Sequence, residues 1–343
     1  YKDRQTIRDS FGFSNNQSLA RFVRSIFITT FTIEGLGALL LMIRFIPRFG
    51  WGHGIFNSIF VAVSAFCNAG FDLMGNEVPY NSLVGYYDDW LVNLVIMSLI
   101  IIGGLGFIVW DDLYRNKFHF RKYLLQTKLV LIALFVLVFG GAGLFWVLER
   151  QNLMVGMSAS GQILTSLFAS VTARTAGFNT VDPAAMTDGS KLLTLILMFI
   201  GGNPGSTAGG VKTTSVIALF LYVRSNIDRS YGINAFGRRL EEDAVKRAGA
   251  ICTINLTAAL AASILIMAIQ PVGMADVLFE TFSAIGTVGM TTGITRSLLP
   301  ASRIVIILLM YCGRIGSMSF ALAFTQQKRI THVQNPVETV SIG

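Results

Sequence analysis

Charged side chains are scarce in this sequence: Asp, Glu, Lys and Arg together supply 13% of its 343 residues, about half the share usual for a soluble domain. Cysteine and histidine are rarer still, with three of each. Cys67, Cys252 and Cys312 stand in apolar or loop settings at no metal-binding spacing, so neither a disulfide framework nor a metal cluster is expected. His53, His119 and His332 lie too far apart to suggest a histidine-bound metal. No paired carboxylates and no nucleophile–base set sit near the ends of the apolar runs, which argues against a membrane enzyme. Apolar bulk takes the place of charge. Hydrophobic residues make up 53% of the chain and the mean hydropathy is +0.61, the composition of a polytopic membrane protein. A net charge of +8 would suggest nucleic acid in a soluble chain. Here the basic residues lie between hydrophobic segments, so lipid rather than nucleic acid is the expected surrounding.

One pattern recurs three times. Asn68-Ala69-Gly70-Phe71-Asp72, Thr175-Ala176-Gly177-Phe178-Asn179 and Thr287-Val288-Gly289-Met290-Thr291 each run polar, small, glycine, large apolar, polar. Their glycines stand 107 and 112 residues apart. A period that long implies a repeated hairpin rather than a solenoid repeat. The unit reads as helix, short re-entrant helix, glycine loop, helix. Irregular backbone at membrane depth is tolerated only where it is buried in protein or lines a water-filled cavity. Glycine loops gathered on one axis can present rings of backbone carbonyls that replace a cation's hydration shell. Glycine suits such loops because the required dihedrals are closed to most residues. Cap glycines in an ordinary transporter bundle would account for one such loop; three in register point to a pore. The expected coordinating residues are Asn68, Ala69, Gly70, Thr175, Ala176, Gly177, Thr287, Val288 and Gly289.

The chain divides accordingly. Residues 1–20 are polar and basic and read as a cytoplasmic segment. A first unit over 21–127 holds Gly70, with a span over Phe22–Ile46, a turn across Pro47–Gly54, a pore helix over Ile55–Phe66 and a second span over Trp90–Trp110. A second unit over 128–247 holds Gly177, with a span over Leu129–Leu148 and a pore helix over Ser160–Ala173. A third unit over 248–324 holds Gly289, with spans over Ala248–Ile269 and Ile304–Phe324 around a pore helix over Met274–Ile285. Residues 325–343 form a cytoplasmic tail. In the second unit the closing span is interrupted. Leu192–Ile200 is too short to cross a bilayer of about 30 Å, and Gly201-Gly202-Asn203-Pro204-Gly205-Ser206-Thr207-Ala208-Gly209-Gly210 follows before Val216–Val223 resumes the apolar run. Such glycine and proline content predicts a helix broken in mid-membrane, a device that usually lines a binding site or passage. The stretch brushes against a phosphate-binding loop, but Val211 separates the last glycine from Lys212 and no soluble strand precedes it, so nucleotide binding there is excluded.

Charged residues inside or beside the spans are functional candidates. Glu34, Arg174 and Arg314 are of this kind, and Arg314 is expected to face the pore or a buried acceptor. Asp72, Glu77, Asp88 and Asp89 make an acidic segment after the first glycine loop, Asp88 and Asp89 reading as solvated. The three loops opposite the glycine motifs hold five, five and six Lys and Arg. That bias places them in the cytoplasm and brings the glycine loops in from outside.

Phe66 to Asp72, Thr172 to Thr180, Gly201 to Thr214 and Gly286 to Thr292, taken together and in order, resemble the Trk/Ktr/HKT superfamily of potassium transporters. The broken-helix sequence resembles the KtrB membrane subunit more closely than TrkH. The resemblance implies four helix–pore-helix–helix units around one pseudo-fourfold pore, with one filter glycine per unit. Three such units are found here, and a fourth is expected to precede Gly70 by one repeat, outside residues 1–343. The resemblance further implies K⁺ as the transported ion, Na⁺ as a second candidate, and a bacterial-type cell membrane. It implies a homodimer on a cytosolic KtrA-like ring that binds ATP or ADP, so that nucleotide acts through a partner subunit. It assigns Gly201 to Gly210 as an intramembrane gate faced by Arg314, with Lys212 as a second holding charge. An alternating-access carrier, which also uses broken helices, is the competing expectation.

Overall fold

A computed structural model describes residues 16–76, 79–117, 119–228 and 232–316. Those residues are mostly helical, with almost no strand. Helix α1 (Asn16–Phe66) is followed by α2 (Trp90–Leu105), α3 (Phe107–Asn116) and α4 (Leu125–Phe135). Then come α5 (Gly141–Glu149), α6 (Ala159–Thr172), α7 (Asp188–Phe199), α8 (Thr213–Ile227), α9 (Glu242–Ile269), α10 (Met274–Gly286) and α11 (Pro300–Ile315). Strands β1 (Asn234–Ala235) and β2 (Arg238–Arg239) pair antiparallel. Their turn residues Phe236 and Gly237 both have positive φ, 52° and 71°, the backbone of a tight hairpin. Among the described residues, Phe22–Phe66, Leu125–Glu149 and Glu242–Ile269 are long and apolar enough to cross a membrane.

Helix α1 is two arms. Gly50 sits at φ 79°, ψ 170°, and the chain doubles back so tightly that a Cβ on Gly54 would lie 2.6 Å from Ile46 Cα. The turn expected across Pro47–Gly54 is therefore concentrated at one glycine, with Pro47 still inside the helix. One arm is long and faces outward; the other is short and ends at a glycine loop. The long arm turns Phe27, Phe31 and Leu39 outward and buries Leu41 and Phe45 against Ile96 and Ile100 of α2. An apolar exterior of this kind is what a bilayer requires.

The expected second span over Trp90–Trp110 is not continuous. It breaks at Gly106, φ 92°, and α3 leaves α2 at 96°. The cause is tertiary: Pro204 O would lie 2.5 Å from a Cβ on Gly106, and Phe107 N donates to Gly205 O at 2.9 Å. The interrupted stretch after α7 is wedged into the bend. The span over Leu129–Leu148 also carries an unforeseen feature, a wide π turn at Val136–Gly140 between α4 and α5. Ser170 donates its hydroxyl to Leu137 O there. The last span is helical through Ile315, and the remainder of Ile304–Phe324 lies outside the described residues, as do most of segment 1–20, Glu77, Arg229, His332 and the tail 325–343.

Close packing is set by small residues, as in other membrane bundles. A Cβ on Gly103 of α2 would fall within van der Waals contact of Phe66 O, and one on Gly313 of α11 within that of Ile285 O. Ser263 of α9 and Thr281 of α10 share a buried hydroxyl hydrogen bond of 2.7 Å. Gly103→Ala is expected to force α2 off the end of α1 and to cost about 1–3 kcal/mol. A fall in the melting temperature of the detergent-purified protein would register it, and an unchanged melt would mean that this packing is slack.

Candidate functional site

The three glycine motifs converge, and their backbones are alike. Within three residues of each helix end comes a residue with left-handed φ, then one without, then a glycine again left-handed. Asn68, Thr175 and Thr287 have φ of 49°, 70° and 54°, and Gly70, Gly177 and Gly289 have 74°, 89° and 89°. A β-branched threonine at positive φ is an outlier. Two of them at matching places mark strain held by the surroundings, as at functional sites.

Hydroxyls at the ends of the helices leading into the loops supply part of that hold. Ser64 Oγ accepts from Phe71 N at 2.9 Å, Thr172 Oγ1 donates to Phe178 O at 2.6 Å and Ser283 Oγ donates to Met290 O at 2.6 Å. In each case the hydroxyl grips the large apolar residue just past the glycine. The helices end at Phe66, Thr172 and Gly286, so each presents its C-terminal, partly negative pole to the cluster. That polarity favours a cation.

The loops meet edge to edge. A Cβ on Gly70 would clash with Ala176 O, and a Cβ on Gly177 would clash with Val288 O. Carbonyls of the middle residues Ala176 and Val288 thus face the glycine of the neighbouring loop. Above them, Leu83 N donates to Asn179 O at 2.9 Å and Asn179 N reaches Ser82 Oγ at 3.2 Å, tying the first and second loops together. Among the described residues the arrangement is an arc rather than a closed ring. Ala69 is exposed, and a Cβ on Gly289 would meet only Gly177 Cα, 4.0 Å away. Ala176 and Val288 are fully or almost fully buried.

Directly against this arc lies the interrupted stretch, residues 201–212, a hairpin only in outline, since its two limbs run parallel where they meet at Ile200 and Val211. Gly201 N donates to Val211 O at 2.9 Å and Thr213 N to Gly202 O at 3.0 Å. Its outer edge is held by other elements. Asn203 donates from N and Nδ2 to Gly104 O at 3.2 and 2.8 Å. Thr207 Oγ1 lies 3.1 Å from both Phe66 O and Gly103 O and accepts from Asn68 Nδ2 at 3.1 Å. A Cβ on Gly209 would collide with the Thr287 side chain, and one on Gly210 would lie 3.0 Å from Gly286 O. Two of the three loops are therefore in direct contact with the hairpin. Gly205 and Gly210 are left-handed as well, both at φ 67°.

Both expected cations reach the hairpin. Arg314, in the last turn of α11, donates to Thr207 O at 2.9 Å, and Lys212 Nζ donates to Ala208 O at 2.7 Å. Arg174, a functional candidate that the sequence leaves unplaced, makes no ion pair among the described residues. It is buried and its Nη2 lies 3.4 Å from Thr213 Oγ1, which in turn donates to Gly201 O at 2.8 Å. Glu34 is buried, with Cys67 Sγ 3.9 Å from Oε1. Asp88 and Asp89, read as solvated, are structural. Asp88 accepts from Ser158 and Ser160 at 2.9 Å each, while Asp89 caps α2 at Leu91 N and Val92 N and pairs with Arg44 at 3.0 Å. Thr213, Gly104 and the Phe66 carbonyl, which anchor the hairpin, were not singled out by sequence. Thr213 lay just beyond the glycine run, and a backbone carbonyl leaves no compositional trace.

The arrangement matches known proteins in sequence and in shape. A family model described as cation transport protein, TrkH, matches residues 2–332. The potassium/sodium uptake protein NtpJ of Enterococcus hirae is 38% identical over 318 residues, covering 91% of this chain and 69% of that protein. The Ktr system potassium uptake protein B of Bacillus subtilis is 34% identical, covering 98% of this chain and 76% of that protein. The crystal structure of the potassium transporter TrkH from Vibrio parahaemolyticus shares the fold at a TM-score of 0.75 and 18% identity, over 93% of this chain and 68% of that one. The chain is a membrane-embedded transporter rather than an enzyme, and it belongs to the TrkH family of cation transport proteins.

Proposed function

We propose that this chain is the conducting subunit of a K⁺ uptake system. Dehydrated K⁺ would pass between backbone carbonyls of Asn68, Ala69, Gly70, Thr175, Ala176, Gly177, Thr287, Val288 and Gly289, and the hairpin Gly201–Gly210 would gate the path. The observation that carries the reading is the loop repeated three times with left-handed φ at its first and third residues and not at the second, the middle carbonyls of the second and third loops facing the glycine of the loop before. Fixed carbonyl dipoles at the C-terminal poles of three helices can stand in for water around a cation. No covalent step and no resident cofactor is needed. The three units over 21–127, 128–247 and 248–324 supply three sides of the path, and a fourth unit closes the arc between Gly289 and Ala69.

Potassium is named for the relatives NtpJ and KtrB, and sodium for NtpJ, which supports K⁺ as cargo with Na⁺ as the ion to test beside it. The Ktr relatives are named as parts of a system. We accordingly assign this chain a multi-component assembly, a homodimer carried on a cytosolic nucleotide-binding ring like KtrA. The test is ion flux into proteoliposomes holding the full-length gene product, under K⁺ and Na⁺ gradients. K⁺-selective flux that continues down its gradient without counter-transport supports a gated filter. Strictly coupled exchange would favour a carrier, and silence that ends on adding the cytosolic subunit would place opening under the partner's control.

A further inference from the structure

The third loop is braced differently from the other two. The first and second are knit together by hydrogen bonds through Leu83, Asn179 and Ser82. On the third, a Cβ at Gly289 would meet only Gly177 Cα, 4.0 Å away, and the third is tied to the first unit by the stacking of Arg296 over the Tyr80 ring. It has instead a buried carboxylate. Glu280 of α10 is 5% exposed. One oxygen accepts from the Thr291 hydroxyl and the other from the Thr295 hydroxyl at 2.7 Å. Thr291 Oγ1 further accepts from Gly293 N at 2.8 Å. The whole limb leaving Gly289 is thereby fastened to the helix that leads into it.

The corresponding helices carry nothing comparable. Glu280 stands three residues before the gripping hydroxyl of Ser283; three before Ser64 is Val61, and three before Thr172 is Ala169, all buried. An acid has replaced a hydrophobic residue in one unit out of three. Desolvating a carboxylate is costly unless its oxygens are satisfied, and here each oxygen is.

We propose that Glu280 is a positioning residue for ion selectivity, its carboxylate fixing the limb Met290–Thr295 and so the placement of the Val288 and Gly289 carbonyls. The proposal rests on those loops being the filter. Glu280 touches no ion itself; it decides how far the third loop can yield toward the smaller Na⁺. A charge-assisted hydrogen bond is roughly twice as strong as a neutral one, so glutamine at this place weakens the brace without removing its shape.

The experiment compares full-length wild type, Glu280→Gln, Glu280→Asp and Thr295→Val for the ratio of K⁺ to Na⁺ flux in proteoliposomes, with thermal melting in detergent alongside. Glu280→Gln is expected to lower the ratio about tenfold through increased Na⁺ entry. Thr295→Val, at an exposed position, removes the bond to Glu280 and the 3.2 Å hydroxyl contact with Thr291 but leaves Thr291 on the carboxylate, and is expected to lower it less, with an unaltered melt. A ratio unchanged in both glutamine and valine variants overturns the proposal. So does a loss of K⁺ and Na⁺ flux in equal proportion in Thr295→Val, which would mark a purely structural role. Gly289→Ala is run in parallel. If it too leaves flux and ratio untouched, the filter reading has failed; if it alone acts, only the role of Glu280 has.

Discussion

Gly177→Ala is expected to cut K⁺ flux by on the order of a hundredfold. The position is left-handed, φ 89°, which costs a residue with a Cβ about 1–2 kcal/mol. The added methyl would also meet Val288 O, a backbone carbonyl of the neighbouring loop rather than a pliable side chain. Overpacking at such a contact adds about 1–3 kcal/mol. Some 3 kcal/mol directed at two adjoining carbonyl positions corresponds to about two powers of ten. Gly143→Ala is the control. It lies in α5 with nothing within 4 Å of the new Cβ, and alanine there is expected to leave flux alone while adding about 0.5–1 kcal/mol of stability. Isotope uptake per correctly folded molecule separates the two. Normal flux through Gly177→Ala would remove the second loop from the ion path.

The second large effect concerns the hairpin. Deleting Pro204 to Ala208 is expected to raise flux at least tenfold, because it removes the tip of the hairpin together with the Thr207 contacts to Phe66, Gly103 and Asn68 that fasten it. Arg314→Gln is expected to act in the same direction by up to about tenfold, since it gives up one charge-assisted bond to Thr207 O, worth about 1.5 kcal/mol or somewhat more. The two changes should not add. Once Thr207 is gone, Arg314 has lost its acceptor, and the double variant should conduct like the deletion alone. Additive effects would mean that Arg314 acts elsewhere, and unchanged flux in the deletion would take the hairpin out of gating.

What the sequence could reveal followed from chemistry written into residue type. The three loops were legible because a left-handed backbone demands glycine, and glycine recurs at the same place in three apolar units. The broken span was legible for the same reason, with Pro204 and five glycines between residues 201 and 210. The bend at Gly106 was not. Gly103-Gly104-Leu105-Gly106 reads as close packing, and for Gly103 it is; the bend comes from Pro204 and Gly205, a hundred residues later, pressing on Gly106. The π turn at Val136–Gly140 lies in uniformly apolar sequence and leaves no pattern to detect. Arg174 had no legible partner because its neighbour is a hydroxyl, Thr213 Oγ1, 39 residues along the chain. Glu280 did leave a sign, an acid inside an apolar pore helix, but its weight becomes plain only when its threonine partners fold back to meet it.

The hairpin and the arc share atoms: Asn68 bonds Thr207, and Gly209 sits against Thr287. An ion that seats itself among the carbonyls acts on the same residues against which the hairpin rests. Binding equilibria coupled in this way are reciprocal, so whatever factor the hairpin's position imposes on ion affinity, the ion imposes on the hairpin. On the proposed reading, external K⁺ is then both cargo and effector. Its concentration sets the thermodynamic pull across the membrane and, separately, the fraction of time for which the passage stands clear.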